Sequence, residues 1–377
     1  MPAMKKVIVF AGTRPEAIKI APVVAALKAM PDFFETRVCS SGQHRELLAA
    51  ALADFDIVPD VTLNVMSDNQ TLASLSAKLF SAIDAMLEVE KPDAVLVQGD
   101  TTTVTVASLC AFYRRIPVGH IEAGLRSFNI HSPFPEELNR RIATLTARWS
   151  FAPTQLSQKN LLAEGVLESS IHVTGNTVID ALLHMVNKVR KDPPALPDAV
   201  NEAHLAGRRI VIITAHRREN FGAPLLQICA AIGRLASVHP DVVFVYPVHP
   251  NPNVGAVVRE KLGALPNVLL IDPLPYAPFV RLLDISTLIL TDSGGLQEEA
   301  PSLGKPVLIM REVTERPEGV HAGVNMLVGT NPDVIFTNVH GLLTDSTAYA
   351  AMTTKVSPFG NGTAGSQIAA VLRQDLA

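Results

Sequence analysis

Three acidic side chains stand where short apolar runs end, and they are the first residues that could do chemistry. Asp100 ends the run VLVQGD, Glu122 ends IPVGHIE, and Glu136 follows in SPFPEELNRR. Two carboxylates at the ends of adjacent strands suit general acid–base catalysis. A plainer interpretation stays open, because Asp100 directly before three threonines could simply be a helix N-cap.

Basic side chains near these carboxylates could bind an anion. In GTRPEAIK, Gly12 permits a tight turn, and Arg14 and Lys19 lie near a predicted helix start, where anions bind. Arg140 lies four residues after Glu136, so the two would share a helix face. The alternatives are a charged helix start in the first segment and a solvated ion pair in the second.

The second half of the chain supplies groups that complement a phosphorylated ligand. In TDSGGLQEEA, Ser293, Gly294 and Gly295 open a helix with unobstructed N–H groups that could cradle phosphate, and Glu298 or Glu299 could hold ribose hydroxyls. A plain glycine turn with an acidic helix start is the alternative. Further candidates beyond apolar runs are His216 and Arg217 in TAHRREN, His249 in YPVHPNP, and Arg311 and Arg316 in MREVTERPE.

Short apolar runs that alternate with longer helical patterns must position these residues. Continuous apolar runs are typical of strands buried on both faces, and strand–helix alternation predicts parallel sheets, which bind ligands at the carboxyl ends of their strands. The predicted strands are KVIVFAG (5–11), TRVCSS (36–41), DAVLVQG (93–99), IPVGHIEAG (116–124), IHVTG (171–175), RIVIITAH (209–216), DVVFVYPVH (241–249), NVLLID (267–272), STLILTDSGG (286–295) and KPVLIM (305–310).

So many strands predict an α/β protein with two Rossmann-like domains, each built on a parallel sheet. The first domain would comprise residues 1–174 plus 360–377, with the C-terminal helix packing back onto it, and the second residues 175–359. The charged, proline-rich stretch KVRKDPPALPDAV lies near the boundary. A diphosphate ligand in a cleft between the domains would meet the carboxylates of one domain and the glycine turn of the other.

Composition excludes several classes of function. The 377 residues carry 32 basic and 36 acidic side chains, a net charge of −4 and 5% aromatic residues, which gives neither a nucleic-acid surface nor a polybasic membrane anchor. Metal-ligand spacings, GxGxxG, GxSxG and the P-loop motif are all missing from the sequence. Three isolated cysteines and an N-terminal apolar run too short for a signal peptide predict a cytoplasmic protein.

Taken together, these motifs resemble the bacterial non-hydrolysing UDP-N-acetylglucosamine 2-epimerases over essentially the whole chain. The segments that carry the resemblance are GTRPEAIK, QHRE, GDTTT, GHIEAGLR, SPFPEE, TGNTVID, HRREN, YPVHPNP, TDSGGLQEEAPSLGKPVL, TERPE and SPFGNG. The resemblance implies the two-domain glycosyltransferase-B architecture. It also implies conversion of UDP-GlcNAc to UDP-ManNAc without cofactor or metal, by elimination of UDP to 2-acetamidoglucal and re-addition.

By motif, the resemblance implies a role for each candidate residue. Asp100, Glu122 and Glu136 correspond to the catalytic carboxylates, and His216 to the group that assists departure of UDP. The implied substrate and UDP ligands are Arg14, Lys19, Arg140, Phe279 (for uracil), Ser293, Gly294, Gly295, Glu299 (for ribose) and Arg316 (for a sugar hydroxyl).

The family is also known for allosteric activation by UDP-GlcNAc at a second site and for homodimers. Gln43, His44, Arg217 and His249 match that second site here. Asn69 stands where some members have Arg and Glu46 where some have Gln, which departs from the family pattern at the second site. Ala215 in TAHRREN replaces a frequent Gly.

Two other functions remain open at this point. One is a 2-epimerase of a related UDP-diacetamido uronic acid, which would need an additional cation near the sugar. The other is a glycosyltransferase-B type transferase, which would need an acceptor surface and has less use for three carboxylates at one centre.

Overall fold

The computed structural model describes residues 4–42, 45–67 and 70–377, without the side chains of residues 45–47. Gln43, His44 and Asn69 therefore lie outside the described residues, as does the side chain of Glu46. Contacts divide the chain into two compact units: unit 1 is Met1–Ala181 with Phe359–Ala377, and unit 2 is Leu182–Pro358. The division falls inside a helix that precedes the proline-rich stretch.

Unit 1 is built on a parallel sheet with the strand order β3-β2-β1-β4-β5-β6-β7. Its strands are β1 (Lys5–Ala11), β2 (Phe34–Ser40), β3 (Val61–Thr62), β4 (Ala94–Gln98), β5 (Val118–Ile121), β6 (Ala147–Ala152) and β7 (Ile171–Val173). The helices that follow them are α1 (Arg14–Lys28), α2 (Arg45–Ala53), α3 (Leu72–Glu90), α4 (Thr102–Tyr113), α5 (Glu136–Thr146), α6 (Gln155–Ala163) and α7 (Thr177–Lys191). Every side chain of β4 and β5 is buried, as expected for central strands covered by helices on both faces.

Unit 2 repeats this plan with the strand order β10-β9-β8-β11-β12-β13, again all parallel. Its strands are β8 (Arg209–Thr214), β9 (Val242–Pro247), β10 (Val268–Ile271), β11 (Leu288–Thr291), β12 (Val307–Ile309) and β13 (Asn325–Leu327). Its helices are α8 (Asp198–Leu205), α9 (Ala223–Val238), α10 (Pro252–Leu262), α11 (Tyr276–Ile285), α12 (Gly294–Glu299), α13 (Pro317–His321), α14 (Pro332–Thr344) and α15 (Ser346–Thr353). The strand order reverses between β1 and β4 in unit 1 and between β8 and β11 in unit 2, and ligands of such sheets bind at these switch points.

The last helix, α16 (Ala364–Leu376), returns to unit 1 and packs against α1, as predicted from the sequence. Gly365 makes the close approach possible, because a Cβ there would lie 2.7 Å from the carbonyl oxygen of Pro22. The backbone N–H of Gly365 also donates to Asp180 at 2.8 Å. At the other end of α16, Asp375 accepts a 2.7 Å hydrogen bond from the indole N–H of Trp149 on β6.

The structure adds three strands that the sequence reasoning missed: β3, β6 and β13. Two of them are very short, while β6 follows α5 without any intervening turn residue. Along the described part of the chain, the helices all lack the combination of length and apolar composition needed to cross a bilayer.

Candidate active site

Two of the three predicted carboxylates of unit 1, Asp100 and Glu122, lie at the carboxyl edge of its sheet. β1, β4 and β5 are adjacent and parallel, so the segments that follow them share one edge. Arg14 begins α1 after β1, Asp100 follows β4, and Glu122 follows β5 directly. Glu136 is the first residue of α5, which follows β5 in the chain.

Glu122 is the most tightly held of the three carboxylates. Its backbone adopts a left-handed conformation with φ of 67°, and its side chain is only 6% exposed. Oε1 accepts hydrogen bonds from Nζ of Lys19 at 2.5 Å and Nδ2 of Asn176 at 3.1 Å, and Oε2 accepts one from Nε2 of Gln98. A cation and two amide donors around one carboxylate favour its ionised form.

Asp100 is held by one ion pair through its side chain and one hydrogen bond to its backbone. Its carboxylate forms an ion pair with the guanidinium of Arg140, and its backbone carbonyl accepts a 2.8 Å hydrogen bond from the side-chain amide of Asn139. One residue earlier, the carbonyl of Gly99 lies 2.8 Å from Nε2 of the buried His120. Burial lowers the pKa of His120 to about 4, so this ring is neutral at ordinary pH and donates from Nε2.

The alternative interpretation, a solvated ion pair between Glu136 and Arg140, is not what the structure contains. Arg140 instead contacts Asp100 and, at 3.2 Å, the fully buried carboxylate of Glu137. Glu137 also accepts the backbone N–H of Ser127 at 3.0 Å, so it is the partner that fixes α5 in place. Within the described residues Glu136 forms no hydrogen bond or ion pair through its carboxylate, and it is half-buried at the start of α5.

In unit 2 the switch point is occupied by a histidine and a buried aspartate. Oδ2 of Asp292, which follows β11, accepts the backbone N–H groups of His216 and Arg217 at 2.8 Å and the amide of Asn220 at 3.0 Å. Its other oxygen lies 3.3 Å from Nδ1 of His216. Burial lowers the pKa of His216, and the negative charge of Asp292 partly opposes that shift. Asp292 therefore fixes the backbone of the loop after β8 and lies beside the partly exposed ring of His216.

The glycine turn also lies at this edge. Ser293 precedes α12, and its backbone N–H donates to the hydroxyl of Thr291 at 2.9 Å. A Cβ on Gly294 would lie 3.0 Å from the guanidinium carbon of Arg316, so glycine lets that side chain lie against the turn. Arg316 is held by the buried Glu298, with a 2.6 Å hydrogen bond from Nε.

The remaining predicted residues of unit 2 range from accessible to buried. Glu299 is half-buried beside Gly295, which makes it the better placed of the two glutamates for a ligand, since Glu298 is committed to Arg316. Phe279 is half-buried in the first turn of α11, after β10.

The ring of His249 stacks on that of His216 with centroids 5.5 Å apart. Arg311 is paired with Glu219 and Glu315, so its role in the structure is to hold loops together.

Sequence reasoning missed Gln98, Asn176 and Asp292 as parts of the site. Gln98 has a usable signal, since it is the one polar residue in the buried strand AVLVQ. Asp292 stands in the same motif as Ser293 and could have been noticed there. Asn176 gives no such signal, because its role depends on a contact with Glu122, 54 residues earlier.

Among the described residues, groupings of three or more histidine, cysteine or acidic side chains that could hold a metal ion do not occur.

Two parallel-sheet units with polar residues gathered at the carboxyl ends of their strands define the class of two-domain α/β proteins with glycosyltransferase-B architecture. A solved glycosyltransferase of kitacinnamycin shares this fold, with a TM-score of 0.64 over the whole chain at 12% identity.

The chain belongs to the UDP-N-acetylglucosamine 2-epimerase family, whose family model matches residues 25–373. A UDP-N-acetylglucosamine 2-epimerase of Yersinia pestis is 50% identical over 370 residues, which covers 98% of each chain. The UDP-GlcNAc 2-epimerase of Neisseria meningitidis, solved with UDP-GlcNAc bound, is 45% identical. It superimposes with a TM-score of 0.87 and covers 98% of this chain and 100% of the other.

Proposed function

We propose that this chain interconverts UDP-N-acetylglucosamine and UDP-N-acetylmannosamine by inverting the configuration at C2. The proposal is supported chiefly by the pair of carboxylates at adjacent strand ends, Asp100 and Glu122, in a chain of the 2-epimerase family. The product would supply N-acetylmannosamine units for surface polysaccharide. The enzyme would act in the cytoplasm, an expectation that rests on the family resemblance and on three buried free cysteines.

The chemistry requires both a leaving group and proton transfer. The proton on C2 of a pyranose is barely acidic, but as the C1–O bond to UDP breaks, oxocarbenium character develops at C1 and acidifies it. A base takes the C2 proton, the electron pair of the C2–H bond forms the C1–C2 double bond, and 2-acetamidoglucal and UDP result. Re-addition of UDP to C1, with a proton delivered to the opposite face of C2, gives the epimer, so two faces of one carbon must be served.

The partners of the unit 1 carboxylates suggest a division of labour. Glu122, held by Lys19 and two amides, would stabilise positive charge at C1. Glu136 can accept or donate a proton without breaking an ion pair. Asp100 is paired with Arg140 and serves the other face, with the arginine as its counter-ion.

Unit 2 would bind UDP and assist its departure. His216, oriented by Asp292, donates a hydrogen bond or a proton to the diphosphate as charge develops on the leaving oxygen. Backbone N–H groups of Gly294 and Gly295 would cradle the diphosphate together with the side chain of Ser293, because the Ser293 N–H is bonded to Thr291. Glu299 would hold the ribose, Phe279 would pack on uracil, and Arg316 would contact a sugar hydroxyl, while Arg14 and Lys19 would serve as unit 1 contacts.

The family resemblance also suggests regulation and assembly. We propose that Arg217 and His249 contribute to a second UDP-GlcNAc site that activates the enzyme, together with Gln43 and His44, and that the chain forms a homodimer. Light scattering of the purified protein tests the dimer. A sigmoidal rate against UDP-GlcNAc concentration tests the activation, and both variants Arg217→Ala and His249→Ala should make that curve hyperbolic.

Proton NMR of UDP-GlcNAc with the purified protein in D₂O, without added NAD, metal or acceptor, tests the proposed reaction. UDP-ManNAc carrying deuterium at C2 supports the proposal. Binding without product or exchange would point to the uronic acid epimerase or to a transferase, and a transferase would turn over only with an acceptor. Free ManNAc and UDP as dominant products would instead indicate a hydrolysing enzyme.

A further inference from the structure

Unit 1 contains a further buried carboxyl group near this sheet edge that takes no part in the proposed reaction. Glu16 lies in the first turn of α1, between Arg14 and Lys19, and is 3% exposed. Its Oε2 accepts the backbone N–H of Gly12 at 3.0 Å, and its Oε1 accepts the hydroxyl of Thr101 at 2.8 Å. Glu16 therefore joins the loop after β1 to the loop after β4.

These two loops flank the switch point of the sheet, where a ligand is expected. Thr101 follows Asp100 directly, and its hydroxyl also caps α4 by accepting the N–H of Val104. The space around the link is full, because a Cβ on Gly12 would lie 2.7 Å from the hydroxyl oxygen of Thr103 and 3.1 Å from that of Ser41. The carboxyl group is thus surrounded by the ends of β1, β2 and β4.

Unit 2 contains the same device. Asp292, after β11, accepts the backbone N–H groups of His216 and Arg217, after β8, and so joins the two loops at the second switch point. Each unit therefore ties its ligand-facing loops together with one buried carboxyl group. The link in unit 2 orients the histidine, and by the same geometry the link in unit 1 sets the position of Asp100.

We infer that Glu16 is a positioning residue: through Gly12 and Thr101 it fixes the spacing between Arg14 and Lys19 on one loop and Asp100 on the other. This inference rests on the proposed epimerase reaction, in which those side chains act on one substrate. Glu16 itself has no contact with the reacting atoms in this scheme. Burial raises its pKa to about 7, and neutral donors from Thr13, Thr101 and Gly12 oppose the shift. The link therefore depends on hydrogen bonds rather than on an ion pair.

Two variants distinguish the effect of the hydrogen bonds of Glu16 to Gly12 and Thr101 from the effect of its charge. Glu16→Gln keeps both connections, because its carbonyl can accept from Gly12 and its amide can donate to the Thr101 hydroxyl, whereas Glu16→Ala loses both. We expect Glu16→Ala to lower kcat by about 10- to 100-fold with little change in KM, because misplacing a catalytic group by ~1 Å can cost ~10²-fold. Glu16→Gln should restore kcat to within about 3-fold of wild type, since both links persist.

Controls distinguish positioning from loss of stability. Asp180→Asn changes another buried carboxyl group of unit 1, which holds α16 through Gly365, and it should leave kcat within about 3-fold of wild type because it joins no loop of the site. Thr101→Val removes the other half of the link. Its effect on kcat and that of Glu16→Ala should not add in the double variant, as for residues that act through one contact.

Three outcomes would overturn the inference: wild-type kcat in Glu16→Ala, equal impairment of the Gln and Ala variants, or full additivity with Thr101→Val. If Glu16→Ala does not fold, Thr101→Val carries the test with the same expected loss of kcat. A wild-type protein that binds UDP-GlcNAc but forms no UDP-ManNAc would overturn the proposed function instead, so the two failures are distinguishable.

Discussion

The three candidate carboxylates of unit 1 share a functional group but not an environment. Glu122 is enclosed by Lys19 and two amides, and Asp100 is paired with Arg140. Glu136 stands at a helix start with its carboxylate outside any hydrogen bond or ion pair in the described residues. When identical functional groups have different surroundings, one can stabilise charge while another transfers a proton at the same pH.

At the scale of single residues we predict that Asp100→Asn, Glu122→Gln and Glu136→Gln each lower kcat at least about 10²-fold, the usual contribution of a general acid–base group. The UDP affinity of each variant should stay close to that of wild type, because each substitution keeps the shape of the side chain and most of the proposed UDP ligands lie in unit 2. Rates of UDP-ManNAc formation and calorimetric titration with UDP check both parts.

Glu88→Gln is a suitable control for this series, because it alters an exposed carboxylate that pairs with Arg114 on the surface of unit 1. It should keep the wild-type rate. Near-normal turnover in any one of the three site variants would remove that residue from the mechanism.

At the scale of elements, the sequence predicted the residues at strand ends but not their partners. Asp100 and Glu122 could be found because buried parallel strands appear as apolar runs, and the first polar residue after such a run lies at the ligand edge. The pairing of Arg140 with Asp100 could not be found, since it depends on how α5 packs beside the segment after β4. β6 was missed because α5 ends and the strand begins at consecutive residues, with no turn signal between them.

The return of α16 to α1 gives a prediction at the same scale. Gly365→Ala places a Cβ against the backbone carbonyl of Pro22, where the nearest atom would be only 2.7 Å away, so α16 must shift. We expect a loss of about 1–3 kcal/mol in the free energy of unfolding of unit 1, the usual cost of overpacking. Trp149 is the sole tryptophan of the chain and bonds to Asp375 on α16, so its fluorescence during urea unfolding reports this contact.

Gln374→Ala is the matched control, because it changes an exposed position of the same helix. It should stay within about 0.5 kcal/mol of wild type. If the two variants unfolded at the same urea concentration, the close approach of α16 to α1 would not contribute to stability.

At the scale of the whole molecule, two buried groups of unit 1 make stability depend on pH in opposite directions. Burial raises the pKa of Glu16 from 4.5 to about 7, so the native state binds more protons than the unfolded chain in that window and stability falls as pH rises. Burial lowers the pKa of His120 from 6.5 to about 4, so stability rises with pH between those values. The two effects oppose each other between pH 4.5 and 6.5, and the wild-type profile should be nearly flat there.

Glu16→Gln should separate these contributions, because its amide cannot ionise. Relative to wild type, the variant should gain stability as pH rises from 4.5 to 7, by about 3 kcal/mol in total for a shift of this size, and the gain should stay constant above pH 7. Below pH 4.5 the two proteins should agree, since Glu16 is then neutral in both the native and the unfolded state. Urea unfolding followed by Trp149 fluorescence at several pH values measures this difference in unit 1. A pH-independent difference would mean that Glu16 has the same pKa in the native and the unfolded chain, and the rise with pH expected of His120 would then appear in wild type as well as in the variant.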